Sequence, residues 1–269
     1  MMVDTNKNIS TPRGSQLTIH RVSLDHPRRW LMAGIDDFRH APVTSLLYGL
    51  FWAVVSLIIT LEAYLLGLWH WLPVLLGGFM FVGPLVAVGC YGISRRLGQG
   101  KQATLGDALK AWTSHTSQLA MIGLMLLLFF IAWFNLSMML FALFFGLSAP
   151  NPEALLIAFF TTAEGYGMML TGTVLGGSLA FGAFAISVVA IPTLMDRDLT
   201  FMEGIEASVK SVTNNFRVML LWAVILTGCT ILGFVTFYLG LAVILPVLGY
   251  ASWHAYEDLV GVENADKRL

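Results

Sequence analysis

The stretch Thr200–Arg217, TFMEGIEASVKSVTNNFR, combines a helix start with an amphipathic pattern. Thr200 and Glu203 have the spacing of a capping box, in which the hydroxyl accepts from the third backbone N–H and the carboxylate accepts from the N–H of the cap. Apolar residues then recur every three or four positions and form one stripe: Phe201, Ile205, Val209, Val212 and Phe216. We therefore predict an amphipathic helix at the water–lipid boundary, with its stripe among the acyl chains.

Two earlier stretches resemble this one, which indicates an internal repeat. Thr104–Ala111 aligns with Thr200–Ala207, so that the helix cap, the acidic third residue and the apolar positions coincide. Met32–Asp36 aligns with Met202–Glu206, and each copy precedes enough apolar sequence for two membrane crossings. We expect three units, each an amphipathic helix followed by two crossings: 25–94, 104–195 and 200–256. The alternative is that boundary helices share a pattern without being repeats.

The composition is that of a membrane protein. Hydrophobic residues make up 57% of the 269 residues, charged residues make up only 12%, and the mean hydropathy is +0.76. Soluble domains carry about 25% charged residues. The net charge is −1, and we expect no nucleic-acid partner. Cys90 and Cys229 fall in predicted crossings without a partner at a suitable spacing, so we expect neither a disulfide nor a cysteine metal site.

Apolar runs and charge together predict how the chain threads the membrane. All 15 Lys and Arg residues fall in the N-terminal arm, in the loops after the second and fourth crossings, and in the C-terminal tail. By the positive-inside rule, both termini and the three amphipathic helices are cytoplasmic. We predict an all-α polytopic bundle of six transmembrane helices in a bacterial inner membrane. The expected crossings are 46–67, 72–94, 119–146, 167–195 and two within 218–256, with a turn near 237–240.

Outside the six-helix transmembrane domain, residues 25–258, we expect two cytoplasmic tails. Residues 1–24 are polar with little apolar periodicity and are expected to be disordered, and residues 259–269 form the second tail. Trp69–Trp71, after the first crossing, has the composition of an interfacial aromatic belt. The apolar piece Ala154–Phe160 is too short to span the bilayer, so it either lies flat on the surface or tucks back toward the bundle.

Eight residues in or beside the crossings are candidates for function: Glu62, Pro84, Arg95, Arg96, Asn135, Pro192, Pro246 and His254. The three prolines each lie in the second crossing of a unit. Three bent helices could surround a cavity, as broken helices do in transporters, and the alternative is that the prolines relieve packing. Asn135, the one amide of the third crossing, and Thr171 could then face such a cavity.

The charged candidates each have a functional and a structural interpretation. Glu62 either belongs to a proton or cation pathway or anchors its helix at the headgroups. Arg95 and Arg96 either bind anionic lipid at the cytoplasmic face or only set the topology. His254 and Glu257 share a helix face and could hold a metal, but we expect a polar helix end. No histidine lies deep in a crossing, so we expect neither a haem nor another cofactor.

Several short motifs resemble a bacterial integral-membrane family of unknown function. They are Trp30-x3-Gly34-x-Asp36, Pro42-x2-Ser45-Leu46-x-Tyr48-Gly49, Gly83-Pro84, Gly89-x-Tyr91-x2-Ser94-Arg95-Arg96-Leu97 and Trp253-His254-Ala255-Tyr256. The resemblance covers residues 28–258 and implies a fold rather than an activity. Some members of the family are labelled cytochrome c oxidase subunits, but the histidines that such a catalytic subunit uses have no counterparts in these crossings.

Three functions are open at this point. A non-enzymatic scaffold, or an accessory or assembly factor for an envelope or respiratory complex, predicts a tightly packed interior and an exposed apolar or conserved-looking lateral face, which a membrane-protein partner would contact. A transporter of a small molecule or lipid predicts a cavity near the bent helices. An intramembrane enzyme predicts a convergent acid, base or metal cluster, and the sequence contains no such motif. We expect the first function, with the lipid bilayer and anionic lipid as further partners.

Overall fold

The computed structural model describes the chain in five stretches: residues 9–10, 16–68, 71–114, 116–146 and 152–263. Trp69 and His70 of the expected aromatic belt lie outside the described residues. Within the described residues, the helices are α1 (His26–His40), α2 (Pro42–Leu65), α3 (Leu72–Val86), α4 (Val88–Gly98), α5 (Leu105–Ser114), α6 (Thr116–Phe145), α7 (Pro152–Thr161), α8 (Ala163–Ser187), α9 (Ala190–Asp196), α10 (Phe201–Asn214), α11 (Phe216–Val235) and α12 (Leu241–Leu259). The strands are β1 (Ile9–Ser10), β2 (Gln16–Ile19) and β3 (Val260–Glu263).

Five helical stretches of the described chain are long and apolar enough to cross a membrane: Pro42–Leu65, Leu72–Gly98, Thr116–Phe145, Ala163–Asp196 and Phe216–Val235. The prediction of an all-α polytopic membrane protein is therefore confirmed. The second and fourth stretches consist of two helices each, α3 with α4 and α8 with α9. At about 1.5 Å per residue both are longer than the roughly 30 Å of hydrocarbon.

The helix α12, where we expected the sixth crossing, differs from these five stretches. Its second half carries His254, Glu257 and Asp258, and most of its residues are buried inside the bundle. Polar side chains are tolerated in such a helix because its neighbours supply their partners. The predicted turn lies between α11, which ends at Val235, and α12, which begins at Leu241.

The break between α1 and α2 follows from proline. Ala41, which precedes Pro42, leaves the helical region and separates α1 from α2, as expected for a residue before proline. Pro84 lies inside α3, but proline disturbs the turn that precedes it. The break between α3 and α4 is at Ala87, after Pro84, and therefore does not follow from that proline directly.

The break between α8 and α9 is made by a side chain from another helix. The Ser208 hydroxyl of α10 donates to the Ala185 carbonyl at 2.8 Å and accepts from the Val189 N–H at 3.1 Å. The hydroxyl therefore stands in place of the helical bond that these two backbone groups would otherwise form. Pro192, which has no N–H to donate, follows in the first turn of α9. Pro246, by contrast, lies inside α12 without ending it.

Two glycines bring α1 and α2 close to α12, which runs antiparallel to both. Gly34 of α1 faces the backbone of α12 near Ala251, and Gly49 of α2 faces Ala242. A Cβ atom added at Gly49 would overlap the carbonyl group of Ala242. Because glycine has no side chain, the helix backbones can touch at these two points.

The amphipathic helices α1, α5 and α10 pack against protein instead of lying flat on the membrane. α1 packs on α12, α5 packs on α4, and α10 packs on α8 and α9. Small side chains let two helices approach, and the face of α10 that packs most closely carries Gly204, Ala207, Ser208 and Ser211. Val212 of the predicted stripe is buried beside them, and Phe201 and Ile205 of the stripe are partly buried against the core. The helices α1, α5 and α10 pack at one end of the bundle, which we call the α1 end. The largest cluster of buried residues lies there, and α7 lies at the opposite end.

The predicted helix caps form at two of the three amphipathic helices. At Thr200 both bonds of the capping box are present, and the Glu203 carboxylate accepts from the Thr200 N–H at 2.8 Å. At Thr104 the backbone N–H donates to the Asp107 carboxylate at 2.9 Å. α1 begins earlier than the alignment implies, so Trp30, which aligns with Thr200, lies inside the helix.

Part of each expected tail is structured. β2 pairs antiparallel with both β1 and β3, so the two ends of the chain share one sheet. The Asn215 side chain accepts from the Val22 N–H at 2.8 Å. We expected residues 1–24 to be disordered, but residues 16–24 are ordered in the structure. β3 forms the start of the expected tail 259–269. Sequence periodicity missed this sheet because its strands are short and their partners lie at the far end of the chain.

We predict that Gly49→Ala destabilises the protein by about 1–3 kcal/mol, because the added Cβ atom forces α2 away from α12. The measurement is the midpoint of thermal unfolding in mild detergent, followed by tryptophan fluorescence. Gly98→Ala is the matched control, since a Cβ atom at Gly98 meets nothing within 4 Å. Alanine is favoured over glycine in a helix, so the control should be neutral or slightly more stable. Equal midpoints for the two variants would contradict the role of Gly49.

Candidate functional site

A large cavity lies among the spanning helices. Its volume is about 1250 Å³, and most of its wall comes from α3, α6, α8, α11 and α12. Most lining residues are glycine, alanine or larger apolar residues, and no described residue on the wall is charged. Pockets of this kind bind apolar ligands and use a few polar groups to orient them.

The cavity opens sideways between α8 and α11. At one end of this opening the rings of Phe181 and Phe216 join the two helices, with centroids 5.8 Å apart. Val174 of α8 and Val224 of α11 both line the cavity, yet they are 58% and 61% exposed. Because these residues belong to spanning stretches, their exposed surface faces the acyl chains of the bilayer. The cavity is therefore open to lipid.

Glycines enlarge the cavity on both sides of this opening. Gly177 of α8 and Gly228 of α11 line it, and a Cβ atom added at either position would meet nothing within 4 Å. Gly176, the neighbour of Gly177, instead receives the indole ring of Trp133 from α6. The same helix thus uses one glycine to pack against α6 and the next to leave space.

A few hydroxyl groups interrupt the apolar wall. The serine and threonine residues that line the cavity are Ser137, Thr173, Ser178, Thr227, Thr230 and Ser252. Ser178 and Thr230 donate to the carbonyl group four residues earlier, at 2.7 and 2.8 Å. Ser137 is only 5% exposed, and its hydroxyl has no hydrogen-bond partner. This oxygen has almost no accessible surface, so it is enclosed by the helix packing rather than exposed to the cavity.

Of the eight sequence candidates, Pro84 alone lines the cavity. Glu62 is exposed on α2. Asn135 is exposed on α6, and its amide donates to a carbonyl group of the same helix at 2.8 Å. Pro192 and Pro246 are buried but do not reach the wall. Sequence reasoning missed most of the wall, because glycine and serine in apolar runs are also common in ordinary helix packing.

His254 belongs to a polar cluster at the α1 end. Its Nε2 atom lies 3.0 Å from the Asp37 carboxylate, and its Nδ1 atom lies 3.2 Å from the Glu257 carboxylate. The Ser94 hydroxyl also donates to Asp37, and the Trp253 indole N–H donates to Glu257 at 2.9 Å. Both imidazole nitrogens of His254 are thus engaged. In the described part of the chain, no group of three or more His, Cys, Asp or Glu is placed to hold a metal ion.

Arg95 and Arg96 form ion pairs with acidic residues of neighbouring helices. Arg95 lies 3.1 Å from Asp196, and Arg96 lies 3.3 Å from Asp107. Burial by itself would raise the pKa of Asp107, but hydrogen bonds from Thr104 and the charge of Arg96 hold this pKa below its ordinary value. The two guanidinium groups therefore connect α4 to α9 and to α5. Each pair is partly exposed, so its contribution to stability is small.

We predict that Asp37→Ala lowers the stability of the protein by about 2 kcal/mol, because it leaves two partly buried donors without their charged acceptor. Asp36→Ala is the matched control, since the Asp36 side chain is 65% exposed, whereas that of Asp37 is 14% exposed. The control should stay within about 0.5 kcal/mol of the parent protein. Thermal unfolding in detergent measures both variants, and an Asp37→Ala variant as stable as the control would contradict the role of the cluster.

Comparison with known proteins agrees with the membrane architecture. No curated protein and no solved structure matches the chain. The match is to a family model whose description is "predicted integral membrane protein (DUF2189)", and it covers residues 71–196. These residues run from just before α3 to the end of α9, and they include the cavity walls on α3, α6 and α8. Over this part, the chain is similar to a family of integral membrane proteins of unknown function.

Proposed function

We propose that the protein binds a membrane lipid, and that an acyl chain of this lipid enters the cavity sideways between α8 and α11. The observation that carries the proposal is a cavity of about 1250 Å³ that is apolar and open to the bilayer. Acyl chains are the apolar molecules that surround the opening. Lateral entry also means that the chain passes from lipid to protein without contact with water, which would be unfavourable.

The length of the cavity supports a chain rather than a compact ligand. On α8 the lining residues run from Met168 to Phe184, and on α11 they run from Leu220 to Ile231. At about 1.5 Å per residue, the α8 wall is roughly 24 Å long, which is most of the roughly 30 Å thickness of the hydrocarbon layer. An acyl chain can extend along such a wall in the same direction as its neighbours in the bilayer.

The other functions have less support. An ion or a polar solute would need polar or charged groups along its path, and the described cavity wall carries no charged residue. An inert scaffold predicts a tightly packed interior, which a cavity of this size does not favour. We therefore place lipid binding before an accessory or assembly role in an envelope or respiratory complex, and we propose no enzymatic activity.

We also propose six crossings in a bacterial inner membrane, with both termini on the cytoplasmic side. The sixth crossing is the chain that returns beside α2, from Tyr238, which bonds to Thr60, to Tyr250, which bonds to Ser45. The rest of α12 lies beside α1. This crossing brings Lys267 and Arg268 of the C-terminal tail to the same side as the other basic residues, in agreement with the positive-inside rule.

The packing of the amphipathic helices supports three repeated units. α5 packs on α4, which ends the first unit, and α10 packs on α9, which ends the second. α1 packs on α12, which ends the third unit. Each amphipathic helix thus packs on the last helix of the preceding unit, and α1 of the first unit packs on the last helix of the third. Three related units arranged around one axis would produce this order of contacts.

The test of lipid binding is a variant that fills the cavity. We predict that Gly228→Leu, which adds a side chain where a Cβ atom meets nothing within 4 Å, reduces lipid labelling on the order of tenfold, equivalent to about 1.4 kcal/mol of lost affinity. The probe is a phosphatidylethanolamine with a photoreactive group midway along one chain, reconstituted with the protein in nanodiscs. Mass spectrometry then locates and quantifies the labelled peptides.

Ala132→Leu is the matched control for this experiment, because Ala132 is exposed on α6 and does not line the cavity. It should leave labelling of α8 and α11 unchanged. The unfolding midpoints of both variants show whether each has folded. Equal labelling in Gly228→Leu and Ala132→Leu would overturn the proposal of a lipid in the cavity.

The threading has a separate test in a variant without Cys90 and Cys229. Lys101→Cys is expected to react with a membrane-impermeant thiol reagent only after the cells are opened. Leu239→Cys is expected to react in intact cells, because Leu239 lies in the turn before α12 and is 72% exposed. Labelling of Lys101→Cys in intact cells, or failure of Leu239→Cys to react from outside, would contradict six crossings with cytoplasmic termini.

A further inference from the structure

A second, smaller cleft lies where α10 meets α11, beside the segment that follows β2. Its volume is about 400 Å³. Arg21 of that segment and Arg217 of α11 both line the cleft, and no described acidic residue does. Within the described residues, neither arginine side chain forms an ion pair or a hydrogen bond. The cleft therefore presents two positive charges that the described part of the chain does not neutralise.

The acidic residue nearest to this cleft along the chain is already engaged. Asp25 forms an ion pair with Arg29 and accepts a hydrogen bond from the Ser23 hydroxyl. The exposed Arg39 of α1 also has no acidic partner among the described residues, but it lines neither the cleft nor the cavity. What distinguishes the arginines of the cleft is that two of them, from distant parts of the sequence, border one concave site.

The side chain of Asn215 holds the two sides of the cleft together. Its oxygen accepts from the Val22 N–H at 2.8 Å, and its amide donates to the His20 carbonyl at 2.9 Å. Asn215 is 6% exposed and directly precedes α11. Because both neighbours of Arg21 are bonded to Asn215, the backbone of Arg21 is fixed at the start of α11. A site that is positioned in advance loses less freedom on binding.

The cleft lies at the level of the lipid head groups. Phe216, which lines it, is the first residue of the spanning stretch Phe216–Val235. Leu24 also lines it, and the two apolar side chains are 60% (Leu24) and 51% (Phe216) exposed. Arginine binds phosphate through charge-assisted hydrogen bonds, and anionic lipids attract basic residues at this boundary. The position and the apolar border favour the phosphate of a lipid over a phosphate free in solution.

One face of α11 connects the cleft to the opening of the cavity. Phe216, Leu220 and Val224 are spaced four residues apart and so share this face, and all three are exposed. The Phe216 ring contacts Phe181 at the end of the opening, while Leu220 and Val224 line the cavity. Phe216 and Leu220 are about 6 Å apart along the helix. A lipid with its phosphate in the cleft therefore has its acyl chains beside the opening.

We propose, on the basis of the lipid-binding function proposed above, that Arg21 and Arg217 bind the phosphate of the lipid whose acyl chain enters the cavity. The protein then prefers an anionic lipid to a zwitterionic one. Both kinds of lipid carry the phosphate, but the ammonium group of a zwitterionic head group is repelled by the two guanidinium groups.

The experiment compares phosphatidylglycerol with phosphatidylethanolamine that has identical acyl chains. Native mass spectrometry of the full-length protein in detergent measures the affinity for each lipid. We expect phosphatidylglycerol to bind at least about fivefold more tightly, since each arginine beside an anionic head group contributes about that factor. Arg21→Gln and Arg217→Gln should each weaken the binding of phosphatidylglycerol about fivefold, whereas Arg217→Lys, which keeps the charge, should retain most of the preference.

Arg39→Gln is the matched control, because it removes one exposed positive charge that lines neither site. It should leave both affinities unchanged. Gly228→Leu, which fills the cavity, should weaken both lipids to the same extent and leave the preference as it is. Inorganic phosphate, added at constant ionic strength, should not displace phosphatidylglycerol.

The outcomes separate this inference from the function on which it rests. If both lipids bind equally to the parent protein, or if Arg21→Gln and Arg217→Gln behave like Arg39→Gln, the head-group site is overturned while binding of an acyl chain in the cavity stands. Displacement of the lipid by inorganic phosphate would also overturn it, in favour of a soluble ligand. If Gly228→Leu changes neither labelling nor affinity, the cavity function is overturned, and with it the proposal that one lipid occupies both sites.

Discussion

The close contact of α1 and α2 with α12 is the interaction on which the rest of the structure depends. Gly34 and Gly49 let the backbones meet, and α12 becomes the inner helix of the bundle. In hydrocarbon, association between helices is driven by close packing and hydrogen bonds rather than by the removal of apolar surface from water. Small residues at the contact are therefore required, and a polar-ended helix such as α12 becomes stable only when it is surrounded by protein.

The packing of the bundle is uneven, and the cavity is a consequence of this. At the α1 end, the three amphipathic helices fill the spaces between the ends of α4, α9 and α12, so that most of the buried core lies there. Further along, α8 and α11 separate beyond Phe181 and Phe216, and their glycines leave the space between them open. One end of the molecule thus holds the helices in place, while the part within the bilayer can accept a ligand.

Three of the four charged or titratable candidates from the sequence have partners within the protein. Arg95 and Arg96 pair with Asp196 and Asp107, and His254 joins α12 to α1 through Asp37. Arg95 and Arg96 were candidates for lipid binding from the sequence, and His254 was a candidate metal ligand, because their partners could not be seen there. A charge at a helix end has several possible partners, and the choice among them depends on which helices the fold brings together.

Much of the local structure follows from the sequence by itself. Apolar runs of about 20 residues must form helices in lipid, since each backbone group needs a partner within its own segment, and the proline at 42 and the cap at Thr200 set two helix boundaries through bonds between near neighbours. Only the tertiary structure decided which face of α10 is buried, that the two chain ends share a sheet, and that α8 and α11 separate. It also distinguished Ser137 from Ser178, which look alike in an apolar run. Helix formation depends on near neighbours in the chain, whereas an open cavity and an unpaired hydroxyl depend on contacts between residues that are distant in sequence.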